Sequence, residues 1–429
     1  MTASLDAAPG AGNSATPSGG FGPARELVCR ECGATTPLGD SYACLECFGP
    51  LEIGYDFGTV THADIETGPQ SMWRYAPLLP VPADVASRQN LSPGMTKLVK
   101  ADNLAKALGM KTLWVKDDSG NPTHSFKDRV VAIALSAAQE LGFTTVGCAS
   151  TGNLAGAVAA AAARAGLKSC VIAPSNLEAG KLVTAAIYGG TLVAVDGNYD
   201  DVNRLCSEVA ADMGWGFVNV NLRPYYAEGS KTVGYEVAEQ LGWRLPRQLV
   251  SPIASGSLMT KVDKAFGELV KLGLVDETPA SIYGAQATGC SPVSKAFAAG
   301  HDVVQPVRPD TIAKSLAIGN PADGPYAIDV ARRTGGAIAD VTDDEIVAGI
   351  QLLAQTEGIF AETAGGVTLA VLRKLLDAGQ LDPDAETVLL NTGDGLKTLD
   401  AVEPVASPTV TISPKYTEFR AFAEQKGLA

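Results

Sequence analysis

Between residues 91 and 400 the chain repeats one pattern: a short apolar run, a polar or glycine-bearing turn, then a helix-length segment. A helix at 101–108 closes on Gly109, and a strand at 112–116 leads through a polar loop, 117–124, to a helix at 125–141 stopped by Gly142. A strand at 145–148 and a turn at 149–152 open a helix at 153–165, closed by Gly166 before a strand at 168–173. The series continues as helix 181–188, strand 191–195, helix 198–213, strand 216–219 and helix 229–241. Further buried strands are predicted at 249–252, 281–286 and 387–390, with helices at 258–272, 343–357 and 366–378. Short apolar strands alternating with helices are joined most simply as βαβ units, so the pattern predicts an α/β fold with mostly parallel sheets. No repeat of fixed period is present.

The chain is 429 residues long, enough for two or three domains. Its charge of −14 argues against a broad nucleic-acid face. An apolar fraction of 46% with only 19% charged residues excludes a disordered acidic chain. The run 154–163 is too short to cross a membrane, and no basic, then apolar, leader opens the chain, so the expected place is the cytoplasm, without membrane partners. Residues 1–24, dominated by Ala, Gly, Ser, Thr and Pro, read as a flexible tail.

Four of the eight cysteines fall in one short segment, 25–60. Cys29 and Cys32 form one CxxC pair, and Cys44 and Cys47 a second, with 11 residues between the pairs. Two knuckles of this kind offer four thiolates to one tetrahedral ion. Zinc suits the set best and iron second. Four thiolates leave no open position for substrate, so the role is structural, the metal replacing the core that so short a segment lacks.

The most informative stretch runs Lys116-Asp-Asp-Ser-Gly-Asn-Pro-Thr-His-Ser-Phe-Lys127-Asp128-Arg129. Ser125 is the expected N-cap of the following helix, with Asp128 three residues on as in a capping box. Lys127 then lies in the first helical turn, where the helix dipole disfavours an ammonium group, which suits a lysine that forms a Schiff base. A plain surface lysine is the competing reading of that position alone. Three other strand–helix junctions carry small and polar residues: 149–153, 252–257 and 391–397. Loops at the carboxyl ends of parallel strands build the ligand crevice of open α/β sheets.

Taken together, these stretches resemble the threonine synthase branch of the fold-type II pyridoxal-phosphate enzymes. The resemblance rests on Asn-Pro-Thr-x-Ser-Phe-Lys-Asp-Arg at 121–129, Ser-Thr-Gly-Asn at 150–153, Glu-Gly-Ser-Lys-Thr at 228–232 and Thr-Gly-Asp-Gly-Leu-Lys at 392–397. It implies two three-layer open-sheet domains of the tryptophan synthase beta-like class, plus a small N-terminal zinc ribbon. The larger, cofactor-binding domain would comprise 61–115 and 236–429, and the smaller, mobile one 116–235. Lys127 would bear pyridoxal phosphate and move protons. Asn153 would bond its phenolic oxygen, and Ala254, Ser255, Gly256, Ser257 and Leu258 its phosphate. Thr392 would face the pyridine nitrogen, a hydroxyl there leaving that nitrogen largely unprotonated. Ser150 and Thr151 would bind the substrate carboxylate.

The implied reaction takes O-phospho-L-homoserine and water to L-threonine and phosphate, in a homodimer. Three positions depart from the family pattern. Tyr226 stands where short-form members place an arginine for the substrate phosphate, leaving Arg223 or Lys231 to supply that charge. The phosphate loop is serine-rich rather than Gly-Asn-x-Gly-Asn, and Asp394 replaces a usual histidine. β-Replacement on O-phospho-L-serine, as in a cysteate synthase-like enzyme, and a threonine or serine dehydratase remain as alternatives.

Overall fold

A computed structural model describes residues 20–88, 91–150, 152–175, 183, 186–197, 199–406 and 408–428. The tail expected at 1–24 falls mostly outside these residues, as does half of the helix expected at 181–188. Phe21, inside the expected tail, is buried and stacks on Tyr225 with ring centroids 5.3 Å apart.

Among the described residues the strands form three sheets. The first contains β1 (Ala24–Cys29), β2 (Thr35–Pro37) and β3 (Leu51–Tyr55), antiparallel in the order β2-β1-β3. Next in the chain come β4 (Lys97–Lys100) and β5 (Leu113–Asp117). Then follow β6 (Thr145–Ala149), β7 (Lys168–Pro174), β8 (Thr191–Val195) and β9 (Gly216–Phe217), a parallel sheet in the order β8-β7-β6-β9. The last four are β10 (Gln248–Pro252), β11 (Ser281–Ala287), β12 (Ile338–Val341) and β13 (Thr387–Asn391). With β4 and β5 they form the largest sheet, β12-β11-β10-β13-β5-β4, parallel except at β4.

Within that sheet the two strands that the apolar pattern does not reveal, β4 and β12, lie at the edges. An edge strand has no second strand partner and needs no continuous apolar run; β4 carries lysines at both ends. Among the described residues no helix is long and apolar enough to cross a membrane.

The helix Lys127–Glu140 is buried from Asp128 to Ala138 and packs on the helices Asn153–Ala165 and Arg223–Glu228. Gly229 makes the second contact possible. A Cβ there would lie 2.5 Å from both the Arg129 carbonyl oxygen and the Val130 Cα.

A buried charge network anchors the start of the same helix. Arg129 is fully buried and donates through Nε to Asp118 at 2.7 Å. One terminal nitrogen reaches Thr232 at 3.0 Å and Glu236 at 2.5 Å. The other reaches Thr96 at 3.0 Å and Asp118 and Glu236 at 2.8 Å each. Lys116 adds its own bond to Glu236 at 2.6 Å. Burial alone would raise the Glu236 carboxyl, but Arg129 and Lys116 overcome it and hold the group at about 2. Two cations and two anions thus neutralise one another where water cannot.

The close approach at Gly229 gives a direct test of the packing. Gly229→Ala should lower the denaturation free energy by about 1–3 kcal/mol, because backbone atoms meet the new methyl group. Denaturant titration measures it, and an unchanged midpoint would contradict the packing.

Candidate functional site

Four loops at the carboxyl ends of parallel strands build the site: those after β5, β6, β10 and β13. The loop after β5 is latched to the segment after β13. Phe126 N–H donates to the Thr392 carbonyl at 2.9 Å, and Asp394 N–H to the His124 carbonyl at 3.1 Å. This seats Lys127 beside Thr392.

The expected capping box does not form. The N-cap is Phe126, without a side-chain cap, and Ser125 Oγ is buried without a hydrogen-bond partner. The Asp128 carboxylate instead turns back to Thr123, accepting from its N–H at 2.7 Å and its hydroxyl at 2.8 Å. Burial raises the Asp128 carboxyl to about 6 despite those bonds. Lys127 begins the helix, and its Nζ donates to the Tyr226 hydroxyl at 3.1 Å. The departure at Tyr226 is therefore in contact with the lysine itself.

Asn153 and Thr392 converge on a residue absent from the expected set, Glu362. Asn153 Nδ2 donates to one carboxylate oxygen at 2.8 Å and the Thr392 hydroxyl to the other at 3.0 Å. The Asn153–Glu362 contact bridges the loop of the small parallel sheet and the N-cap of the helix Thr363–Asp377. Glu362 is buried, which raises its carboxyl; bonds from Asn153 and Thr392 and the charges of Lys397 and Lys127 oppose that shift. Burial lowers Lys397 in turn, against Glu362 and Asp128. The signal for Glu362 in the sequence is slight: an acid between apolar Phe360-Ala361 and the small residues Ala364-Gly365-Gly366. Those glycines permit contact, since a Cβ on Gly365 would lie 2.4 Å from Asn391 Oδ1.

The Ser150 hydroxyl accepts from Gly152 and Ala155 N–H groups, each at 3.2 Å, so it caps the following helix while keeping its own proton to donate. Thr151 lies outside the described residues. The loop after β10 places Ala254 and Ser255 before a left-handed Gly256 with φ of 101°, and Ser257 and Leu258 open a 15-residue helix without a side-chain cap. Free N–H groups at such a helix start hold an anion. Asp323 braces this loop, its N–H donating to the Ser255 carbonyl at 2.9 Å.

The two cationic candidates fare differently. Arg223 pairs with Asp323 at 2.8 Å and keeps 31% of its side chain exposed. Lys231 does not reach the site. It is fully buried and held by Glu228 at 2.8 Å, Glu268 at 3.0 Å and the Leu78 carbonyl at 3.1 Å, which uses its three donors.

At the N-terminal sheet the four sulfurs of Cys29, Cys32, Cys44 and Cys47 lie within 4.8 Å of one another. Two of the separations are 3.5 and 3.7 Å. A tetrahedral zinc–thiolate site requires about 3.8 Å between sulfurs. Backbone N–H groups of Glu46 and Gly49 point at Cys44 and Cys47 sulfurs at 3.4 Å, as suits thiolates. The segment is a potential structural metal site. It docks on the body through Arg30, whose guanidinium lies 3.5 Å from the Tyr326 ring centre and pairs with Glu52 at 3.2 Å and Asp323 at 3.6 Å.

Comparison with known proteins agrees with this geometry. The family pattern for pyridoxal-phosphate dependent enzymes matches residues 90–393. Threonine synthase of Methanocaldococcus jannaschii is 38% identical over 379 residues, 87% of this chain and 93% of that protein. The Methanosarcina acetivorans threonine synthase is 38% identical over 90% of this chain and 95% of its own. That of Mycobacterium tuberculosis is 34% identical over 86% and 99%. Among solved structures, maize serine racemase superposes with a TM-score of 0.60 at 20% identity, covering 80% of this chain and 97% of its own. Diaminopropionate ammonia lyase of Escherichia coli gives a TM-score of 0.62 at 20% identity, over 75% and 91%. Those two likenesses concern the fold. The chain belongs to the pyridoxal-phosphate dependent enzymes, as a fold-type II member homologous to threonine synthase.

Proposed function

We propose that the chain converts O-phospho-L-homoserine and water into L-threonine and phosphate, with pyridoxal phosphate carried on Lys127. The observation that carries this reading is the meeting of Lys127, Asn153 and Thr392 around the Phe126–Thr392 latch, in a chain homologous to threonine synthases. The residues suit the cofactor. Lys127 offers an amine, Asn153 a second amide proton for the phenolic oxygen, and Thr392 a hydroxyl for the ring nitrogen. The residues 254–258 offer a helix N-terminus to the phosphate, and Ser125 Oγ is a buried polar atom lacking a partner. When bound, the cofactor supplies the electron sink that lets protons leave carbons next to the substrate amine.

The chain's own groups do the rest. With substrate bound, the Lys127 amine would take the proton from Cα and then one from Cβ, with the Tyr226 hydroxyl in reach to hold or share it. Ser150 donates its free proton to the substrate carboxylate. Arg223, half-exposed and shared with Asp323, is the cation left to meet the departing phosphate at Cγ. The two abstracted protons would then return, one to Cγ to make the methyl group and one to Cα, while water adds its hydroxyl at Cβ and its remaining proton balances the released phosphate.

A second reading draws on Tyr226: with no arginine there, a shorter phosphorylated substrate such as O-phospho-L-serine fits a β-replacement. The cysteine site takes structural zinc in our reading, because its sulfur spacing matches that ion and no ligand position is open. Eight cysteines without a disulfide suit the reducing cytoplasm. A homodimer is the proposed assembly.

Two measurements test this. Borohydride reduction and peptide mapping should place the cofactor on Lys127, and the enzyme should release phosphate and threonine from O-phosphohomoserine. Label elsewhere, or faster phosphate release from O-phosphoserine with sulfite, would refute the assignment. Metal analysis of protein purified without chelator should give one zinc per chain, and removal should lower thermal stability; protein with neither zinc nor iron would exclude the metal site.

A further inference from the structure

Arg30 stands inside the first cysteine knuckle, between Cys29 and Cys32, yet its side chain reaches the catalytic body. The face of its guanidinium lies against the Tyr326 ring, and one of its nitrogens approaches Asp323 Oδ1 at 3.6 Å. The other oxygen of that carboxylate, Oδ2, accepts from Arg223 at 2.8 Å. One buried carboxylate is thus shared by two guanidinium groups, one from the cysteine segment and one from the site. Asp323 has little freedom to withdraw. Its N–H holds the Ser255 carbonyl at 2.9 Å, and a Cβ on Gly256 would meet its carbonyl oxygen at 2.6 Å.

Arg223 lies three residues before Tyr226 on one short helix, so the two share a face, and the Tyr226 hydroxyl accepts from Lys127. A phosphate presented to Arg223 therefore meets an arginine that already has an anionic partner. Two anions compete for one cation, and Arg30 offers the protein's own anion a second cation. A chain of net charge −14 has no general positive field to draw a phosphate, so the surplus has to be local.

We propose that Arg30 is a positioning residue for the substrate phosphate: by sharing Asp323 it frees Arg223 to meet the phosphate, so that the cysteine segment helps to set affinity for the phosphorylated substrate. This rests on the assignment of Arg223 to the departing phosphate.

The other charges around Arg30 have partners of their own. Glu52 lies 3.2 Å from it, but Lys261 at 2.8 Å and Lys264 at 3.4 Å meet the same carboxylate, both from the helix that the Ser255 loop opens. Glu228 is shared by those two lysines and Lys231. Glu31 accepts from the Tyr326 hydroxyl. Without Arg30, Asp323 would keep Arg223 as its one cationic partner among the described residues.

The probe is inorganic phosphate, titrated calorimetrically into holoenzyme, in which the cofactor fills its own phosphate loop and leaves the substrate side to be read. Arg30→Gln should weaken phosphate binding about tenfold and raise KM for O-phosphohomoserine alike, with kcat changed less than about threefold. Arg30→Lys returns the charge and should recover most of the loss. Asp323→Asn removes the competing anion and keeps the N–H to Ser255. Added to Arg30→Gln, it should bring phosphate binding back to within about threefold of wild type. Unchanged phosphate affinity in Arg30→Gln overturns the proposal, and so does a loss that Asp323→Asn fails to relieve. If Arg30→Gln does not fold, Asp323→Asn alone decides: binding at or above the wild-type level is expected, and a loss beyond about threefold overturns the proposal. Arg223→Gln separates the two levels. Phosphate binding that it leaves intact marks failure of the Arg223 assignment, while binding lost in Arg223→Gln but kept in Arg30→Gln marks failure of this inference alone.

Discussion

Arg129 is the constraint on which the rest of the site depends. Its fork is fully buried two residues beyond Lys127, and every N–H on it has an acceptor. The acceptors come from three separate stretches: Thr96 before β4, Asp118 after β5, and Thr232 and Glu236 on the helix Lys231–Gln240. A planar group with fixed donor directions tolerates little displacement of any of them. The first turn of the Lys127 helix is thus located relative to both the edge of the large sheet and the helix packed beside it. Removing one partner would leave an uncompensated charge in a dry interior, which is why such a network specifies a single arrangement.

A second layer of contacts carries that precision to the chemistry. The Phe126–Thr392 and Asp394–His124 bonds join the lysine loop to the end of β13, and Asn153–Glu362 joins the small parallel sheet's loop to the large sheet's side. Ion pairs continue outward from Asp323, which braces the Ser255 loop, takes Arg223 and meets Arg30 of the cysteine segment. The cysteine segment is therefore not a detached appendage: its Arg30 and Glu31 both hold Tyr326, at the start of the helix Gly324–Arg333.

Much of this was legible in the sequence because βαβ units leave a strong local record. Parallel strands buried on both faces are apolar throughout, and the helices between them end at glycines such as Gly109 and Gly166, both left-handed as expected. The lysine loop and the double CxxC were visible as short strings. What escaped notice depends on partners distant in the chain. Glu362 gains its role from Asn153, 209 residues away, and Thr392, 30 residues away. Lys231 looked like a substrate cation because its motif is local, while the acids that hold it, Glu228 and Glu268, both lie on other helices, Glu268 37 residues away. The capping box failed for a similar reason: Asp128 found better donors upstream in Thr123.

The buried guanidinium fork, rather than charge alone, positions Lys127. Arg129→Lys keeps the charge and removes the fork, so the most direct measurement is kcat together with cofactor affinity in that variant. The expected result is a fall of about a hundredfold in kcat, with weaker cofactor retention, since a displacement of about 1 Å at the lysine suffices for that loss. A folded Arg129→Lys enzyme with wild-type kcat and cofactor affinity would contradict it.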